Sequence, residues 1–259
     1  VDVEIENLRR MGVEFMTDCI VGKTLSYDDL HEMGFKGIMV ASGAGLPRFM
    51  NIPGENLNGV MSSNEYLTRV NLMDAANPDS DTPVWRGRRV AVIGGGNTAM
   101  DSVRTARRLG AEKVVIIYRR SEDEMPARKE EIHHAKQEGV EFLTLHNPVE
   151  YIGDERGRVC QMRLQKMELG EPDASGRRSP VPVPGAIETI DIDEVIVSVG
   201  VSPNPLVPNS IEGLEVTPKG TIVVNADTLQ SSIPDIYAGG DIVRGGATVI
   251  LAMGDGRRA

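Results

Sequence analysis

The stretch that decides the fold is Arg88-Arg89-Val90-Ala91-Val92-Ile93, then Gly94-Gly95-Gly96-Asn97-Thr98-Ala99, then Met100 to Leu109 and Gly110. Lys113-Val114-Val115-Ile116-Ile117-Tyr118 and Arg119-Arg120 complete it. The order is apolar strand, glycine turn, helix, glycine stop, apolar strand, arginine pair: one βαβ unit ending on two cations. Val90–Ile93 is short, apolar and rich in β-branched residues, as a strand buried on both faces must be. Gly94, Gly96 and Ala99 satisfy G-x-G-x-x-G/A. In that motif the first glycine permits the tight turn, the second lets a pyrophosphate approach the backbone, and the small third residue lets helix pack on strand. The N–H groups of the helix start then face the phosphates.

About twenty residues beyond the turn lies the position that reads the ribose. A carboxylate there would bond the 2′-hydroxyl of NAD. Arg119 and Arg120 stand there instead, and arginine suits the 2′-phosphate of NADP. The plain alternative is a βαβ turn that binds nothing, with both arginines as solvated surface. Strand, turn, helix and arginines in register favour a site for NADP(H).

The surrounding chain sets limits. Its 259 residues allow one or two domains with a sizeable core. A net charge of −10 argues against broad nucleic-acid or anionic-membrane binding. No apolar run approaches the roughly 18 residues of a membrane span, and no signal peptide opens the chain. Cys19 and Cys160 form no C-x-x-C, so neither a dithiol redox centre nor a cysteine-ligated cluster fits. They read as two buried thiols of a cytoplasmic protein. Val1 is not an initiator methionine, and residues 247–259 read as a helix without a stop signal. The sequence therefore reads as a piece of a longer chain.

Around the central unit the pattern is mixed. Ile5, Leu8 and Met11 have helical spacing with Gly12 as stop, and residues 13–16 read as a strand. Ser26 with Asp29 resembles a capping box for a helix over residues 27–33. Residues 37–41 read as a buried strand, Ser62 to Glu65 as the start of a helix ending near Ala76, and residues 77–86 as a linker. Pro126 suits the first turn of a helix running to Glu138. Residues 140–145 read as a strand. Residues 150–152, 159–167 and 186–190 suggest antiparallel strands around a mobile loop from Gly170 to Pro184. Residues 195–200, 220–224 and 233–238 read as strands. Three strands end in glycine turns: Ala41-Ser42-Gly43, Val199-Gly200-Val201 and Gly239-Gly240-Asp241. Ligands bind at such carboxyl ends in open α/β sheets.

Taken together, these residues resemble the two-dinucleotide-binding flavoprotein superfamily, and within it the small subunit of NADPH-dependent glutamate synthase and its relatives. The likeness spans nearly the whole chain. It rests on Ala41-Ser42-Gly43-Ala44 with Pro47-Arg48, Ile52-Pro53-Gly54, Val92 to Asp101, Tyr118-Arg119-Arg120, Met125-Pro126-Ala127 and Ala238-Gly239-Gly240-Asp241. It implies an α/β architecture in which a Rossmann-like NADP-binding domain, residues 62–214, is inserted in a partial FAD-binding domain, residues 1–61 and 215–259. It implies NADP(H) contacts at Gly94, Gly95, Gly96, Asn97, Thr98, Arg119, Arg120 and Arg128, with Gly200 on the facing strand end. Gly240 and Asp241 match the second FAD motif, and the helix near Ala247–Val249 matches the one whose start points at the flavin.

The family's first FAD motif and its cysteine-rich iron–sulfur region have no counterpart in these residues. FAD and iron–sulfur clusters are therefore expected of the longer protein only. The implied partner is a glutamate synthase large subunit or another iron–sulfur acceptor. The implied reaction is hydride transfer from NADPH to flavin, which needs no side-chain acid or base, so no catalytic residue is assigned. The competing reading is a non-enzymatic NADP-binding or docking domain.

Other residues attract weaker readings. His133-His134 with Glu130 and Glu131 has E-x-x-H spacing, but a di-metal bundle site needs two such motifs, and a solvated face is the better reading. Ser102 lacks a G-x-S-x-G setting. Trp85 is read as partly buried core.

Overall fold

The computed structural model describes residues 2–172, 176 and 178–259. The chain forms two compact units, Pro47–Val201 and Val1–Leu46 with Ser202–Ala259. Where the sequence suggests 62–214 for the nucleotide domain, the compact unit takes in residues 47–61 and leaves out 202–214.

Pro47–Val201 is built on a five-stranded parallel sheet. Its order is Val60–Ser62, Glu194–Val197, Arg89–Ile93, Lys113–Tyr118, Glu141–Thr144. Strand side chains alternate between faces, and both faces are covered. Val90, Val92, Val114, Ile116 and Ile196 point to the helices, where Met100, Val103, Ala106 and Ala135 meet them. Ala91, Ile93, Val115, Ile117, Val195 and Val197 point the other way, onto Tyr151, Met162 and Leu164. Val90–Ile93, Val114–Ile117 and Val195–Val197 in the three central strands are apolar throughout because neither face meets water there. The helix Asn97–Arg108 packs through Ala99, Met100, Val103 and Ala106, one stripe at helical spacing.

Tyr151, Met162 and Leu164 belong to an antiparallel sheet of His146–Gly153, Val159–Pro172 and Arg178–Asp191. The expected loop from Gly170 to Pro184 is thereby corrected. Residues 170–172 and 178–184 are strand, while residues 173–175 and 177 lie outside the described residues. Pro180, Pro182 and Pro184 look like loop residues in sequence. An edge strand tolerates them, because its outer side needs no N–H donor, and they discourage further pairing there.

A second correction concerns Pro126. The helix begins at Lys129, after a short 3₁₀ turn at Glu122–Glu124. Two backbone donors are spent elsewhere. Ala127 N–H donates to the Gly95 carbonyl at 3.1 Å, and Arg128 N–H donates to Asn97 Oδ1 at 2.9 Å. The segment is thus tied to the glycine turn instead of the helix. Also corrected are residues 13–16, which form no strand and are exposed, and the Ser63–Leu72 helix, which stops short of Ala76. Trp85 is half exposed, with the Arg158 guanidinium 4.4 Å from its ring centre. Cys19 is exposed and Cys160 half-buried. On the Lys129–Gln137 helix, Ile132 and Ala135 are buried and both histidines face out, which matches the solvated-face reading.

The second unit pairs Ile38–Val40 with Ile236–Ala238 in parallel over a core of Val40, Ile211, Leu214, Ile222, Ile236 and Ile242. Of residues 37–41 only Val40 is buried. Residues 220–224 make a single bridge, Val216 to Ile222, and no strand. The Ser26–Asp29 capping box forms as expected. Ser26 N–H donates to Asp29 Oδ2 at 2.7 Å, and Asp29 N–H donates to Ser26 Oγ at 3.1 Å.

Candidate functional site

The carboxyl ends of the parallel strands open into a cleft of about 640 Å³. Gly94, Gly95, Gly96 and Thr98 form its floor, Arg119 and Arg120 one side, and Ser198 to Val201 the other. The structure therefore brings together, within one unit, the glycine turn, the arginine pair and Gly200.

The three glycines serve different purposes. Gly94 has φ +141°, and a Cβ there would lie 2.2 Å from the Ser198 carbonyl oxygen. At Gly95 a Cβ would lie 2.8 Å from two ring carbons of Tyr118. Both positions need glycine for the protein's own packing. Gly96 does not. Its φ of −90° and ψ of 176° suit any residue, and a Cβ there would meet nothing within 4 Å. It faces open cleft and caps the Asn97–Arg108 helix with no side-chain bond, leaving the first-turn N–H groups uncapped by any side chain. The Lys129–Gln137 helix likewise starts without a side-chain cap, while two other helices differ. Ser62 caps Ser63–Leu72 and Thr248 caps Val249–Arg258 through their hydroxyls. A bare glycine cap on an open cleft suits an incoming anion.

Arg120 supplies the charge. It is 8% exposed, and its buried Nε has no hydrogen-bond partner among the described residues. A buried cation without a counter-ion is costly, so its retention beside the cleft points to an anionic ligand. Arg119 is exposed on the same wall. The residues thus fit an NADP-type dinucleotide: pyrophosphate at Gly96 and the helix start, 2′-phosphate at the arginines.

Not every expected residue enters the cleft. Asn97 and Arg128 do not line it; the Asn97 side chain holds Arg128 N–H, and the Arg128 side chain is exposed. Gly240 and Asp241 belong to the other unit. There Gly240 has φ +72° and donates its N–H to Asp255 Oδ2 at 2.9 Å, while Asp241 Oδ1 accepts the Ala247 N–H at 3.0 Å. Asp255 is clamped by Arg244 at 2.5 and 2.7 Å, and that guanidinium, with the Gly240 N–H, holds its carboxyl down to about 2. Gly240 is glycine for backbone reasons, so it gives no independent sign of a ligand.

Residues not assigned to the site from the sequence also line the cleft, notably Arg48, Asn64, His146 and Ser198. Arg48 stands in a stretch that carries the family likeness. His146 has no sequence signal; only strand register brings it there.

A larger hollow of about 1270 Å³ lies at the amino ends of the same strands, among Arg88, Arg89, Glu112 and Asp193. Arg88 is paired there with Glu112 at 2.7 Å and Arg89 with Asp193 at 2.6 Å, and no fingerprint glycine faces it. Near this end Glu194 is 1% exposed. Burial pushes its carboxyl up to about 7, against one favourable bond from Gly87 N–H at 2.7 Å. Among the described residues no cluster of His, Cys, Asp or Glu could hold a metal ion, and no helix is long and apolar enough to cross a membrane.

Residues 2–256 match the family described as pyridine nucleotide-disulphide oxidoreductase. The chain belongs to that family. It is 38% identical over 256 residues to the glutamate synthase [NADPH] small chain of Halomonas elongata, covering 96% of this chain and 53% of that protein. It is 38% identical over 259 residues to the NADP(+)-dependent formate dehydrogenase subunit beta of Moorella thermoacetica, covering 99% of this chain and 35% of that protein. The chain thus spans about a third to a half of these relatives. Among solved structures it is similar to the His57Gln mutant of FprA from Mycobacterium tuberculosis, with a TM-score of 0.76, 22% identity, and coverage of 99% of this chain and 69% of that one. The fold is that of the two-dinucleotide-binding flavoproteins. The disulphide chemistry in the family's description finds no C-x-x-C here: Cys19 and Cys160 are free and lie in different units.

Proposed function

We propose that the cleft of Pro47–Val201 binds NADPH and that the whole protein passes its hydride to FAD for onward electron transfer. The observation that carries this reading is Gly96. It is a glycine that neither backbone nor packing requires, facing the same cleft as Arg120, whose buried Nε has no partner among the described residues. The relatives' names support the nucleotide, since both specify NADPH or NADP(+).

The chain's own residues bind and orient. First-turn N–H groups of Asn97–Arg108 receive the pyrophosphate, and Arg119 and Arg120 receive the 2′-phosphate. Ser198 to Val201 form the wall toward the nicotinamide end, because that strand end lies on the other side of Arg89–Ile93 from the arginines. When bound, the nicotinamide supplies the hydride and the flavin accepts it.

Glutamate formation with a large-subunit partner is the proposed setting. A partner of formate dehydrogenase type fits the same nucleotide end, so the acceptor decides between them. The alternative of a nucleotide-binding docking domain is separated by spectroscopy. In the whole protein, anaerobic NADPH is expected to bleach the flavin bands near the stoichiometric point. A protein that binds NADPH and keeps its flavin oxidised would be a docking module.

A further inference from the structure

The hollow at the amino ends of the parallel strands holds the chain's one tryptophan, turned outward: Trp85 is 49% exposed. Its backbone is fixed on both sides. Val84 N–H donates to the Ala75 carbonyl at 2.8 Å, and Gly87 N–H donates to the Glu194 carboxylate at 2.7 Å. The Arg158 guanidinium lies 4.4 Å from the ring centre. Arg158 is held as firmly. Its N–H donates to Asp154 Oδ1 at 2.9 Å, and its carbonyl accepts the Asp154 N–H at 2.8 Å. On either side of it, Asn58 N–H donates to the Gly157 carbonyl at 3.0 Å and Val159 N–H donates to the Asn58 carbonyl at 2.9 Å. Indole and guanidinium thus form a preset platform on the hollow.

Five arginines and four carboxylates line this hollow, on a chain whose net charge is −10. Three of the arginines are paired: Arg88 with Glu112, Arg89 with Asp193, and Arg69 with Glu65 at 3.6 Å. The fourth carboxylate, Asp154, closes its own turn by accepting the Arg156 and Arg158 N–H groups at 2.9 Å each. Arg86 and Arg158 are left without an ion pair among the described residues. Arg86 donates to the Ala76 carbonyl, and Arg158 lies on the indole. The hollow is therefore a recess with excess positive charge in an acidic chain.

We propose that this hollow docks an acidic segment of a partner protein, with a carboxylate on Arg158 and an apolar side chain on Trp85. Size and place argue against a small ligand. About 1270 Å³ exceeds the roughly 300–1,000 Å³ of small-ligand pockets. Small ligands of open α/β sheets also bind at the carboxyl ends of the strands, and this is the other end. Tryptophan and arginine are enriched among the residues that carry protein–protein binding energy, and a platform already fixed loses little freedom on binding. The planar guanidinium offers two parallel N–H groups to a carboxylate. Its excess charge favours a negative partner over a basic one. Docking here leaves the cleft at the carboxyl ends open, and the proposal does not depend on what that cleft binds.

Because Trp85 is the one tryptophan, its fluorescence reads this hollow alone. The chain is titrated with a short acetylated peptide of glutamates around a central leucine, with the same peptide built on lysines, and with N-acetylglutamate. Circular dichroism is the fold control. The glutamate peptide is expected to shift Trp85 emission and to bind about tenfold tighter than the lysine peptide, as one charge-assisted contact implies, and to weaken as salt rises. Arg158→Gln, at an exposed side chain, is expected to remove that tenfold preference. Arg156→Gln, at an exposed arginine that does not line the hollow, is expected to keep it. Trp85→Ala, followed by calorimetry, is expected to weaken the glutamate peptide and serves should Arg158→Gln fail to fold. Equal binding of the two peptides overturns the proposal. So does an equal response to N-acetylglutamate at the same carboxylate concentration, which would make the recess a simple anion site. Equal losses in Arg156→Gln and Arg158→Gln would reduce the effect to overall charge and overturn it too. A concentration-dependent dimer that buries Trp85 in sedimentation and fluorescence would make a second copy the occupant, against the proposal.

Discussion

Replacing Gly96 by aspartate separates stability from binding. The residue caps the Asn97–Arg108 helix with extended backbone, and a Cβ added there would have no neighbour within 4 Å, so the substitution meets no steric obstacle in the protein. Aspartate is a better cap than glycine by a few tenths of a kcal/mol, and its charge gains about 0.3–1 kcal/mol from the helix dipole. The variant should therefore unfold about 1–3 °C higher than wild type. Binding should move the opposite way. The carboxylate occupies the N–H groups that would receive the pyrophosphate and adds a like charge beside it. Losing two charge-assisted hydrogen bonds at about 1.5–3 kcal/mol each predicts an affinity drop of at least a hundredfold. Thermal unfolding followed by circular dichroism gives the first number, and fluorescence titration with NADPH gives the second. A folded, equally or more stable Gly96→Asp that keeps wild-type affinity would show that no phosphate crosses this turn. A variant that loses both stability and binding would show that the space at Gly96 is not open.

Three further outcomes follow from the same geometry. Gly95→Ala should behave as overpacking, because its Cβ would lie 2.8 Å from the Tyr118 ring, which is anchored by its hydroxyl to the Glu124 carbonyl at 3.0 Å; a loss of about 1–3 kcal/mol in urea unfolding is expected. Glu194→Gln should stabilise the protein at pH 8. The native carboxyl titrates near 7 against 4.5 unfolded, so its favourable contribution is complete below 4.5 and is lost as pH rises to about 7. The gap between variant and wild type should open across that window to about 3 kcal/mol, and a gap independent of pH would contradict the assignment. Ile116→Ala, at a fully buried strand centre, should cost about 2–5 kcal/mol without changing the NADPH-to-NADH preference of whatever folds.

The central βαβ unit was legible because its pattern is local. Val90 to Ile93 and Val114 to Ile117 are apolar on both faces, and the glycine turn between them has a fixed spacing. The Ser26–Asp29 cap was legible for the same reason. What failed depended on distant partners. The Arg178–Asp191 strand looks like a Pro-rich loop because nothing local says that it lies at a sheet edge beside Val159–Pro172. The start of the Lys129 helix was displaced by bonds from residues 127 and 128 to the glycine turn, which no helix rule anticipates. Within the site, Gly94 to Gly96, Arg119 and Arg120 could be named from spacing. Their division of labour could not: only the contacts around each Cβ show that Gly94 and Gly95 serve packing while Gly96 faces open space. His146 lay beyond sequence reading altogether, since strand register and the left-handed Leu145 place it.

The most direct test of the account is calorimetric titration of wild type and Arg120→Gln with NADPH and with NADH. The Arg120 guanidinium on the cleft wall, whose buried Nε has no partner among the described residues, predicts that wild type prefers NADPH, and that Arg120→Gln loses roughly ten- to hundredfold in NADPH affinity while NADH is little affected. Equal affinity of wild type for both nucleotides, or equal losses for both in the variant, would contradict the claim that this cleft reads the 2′-phosphate.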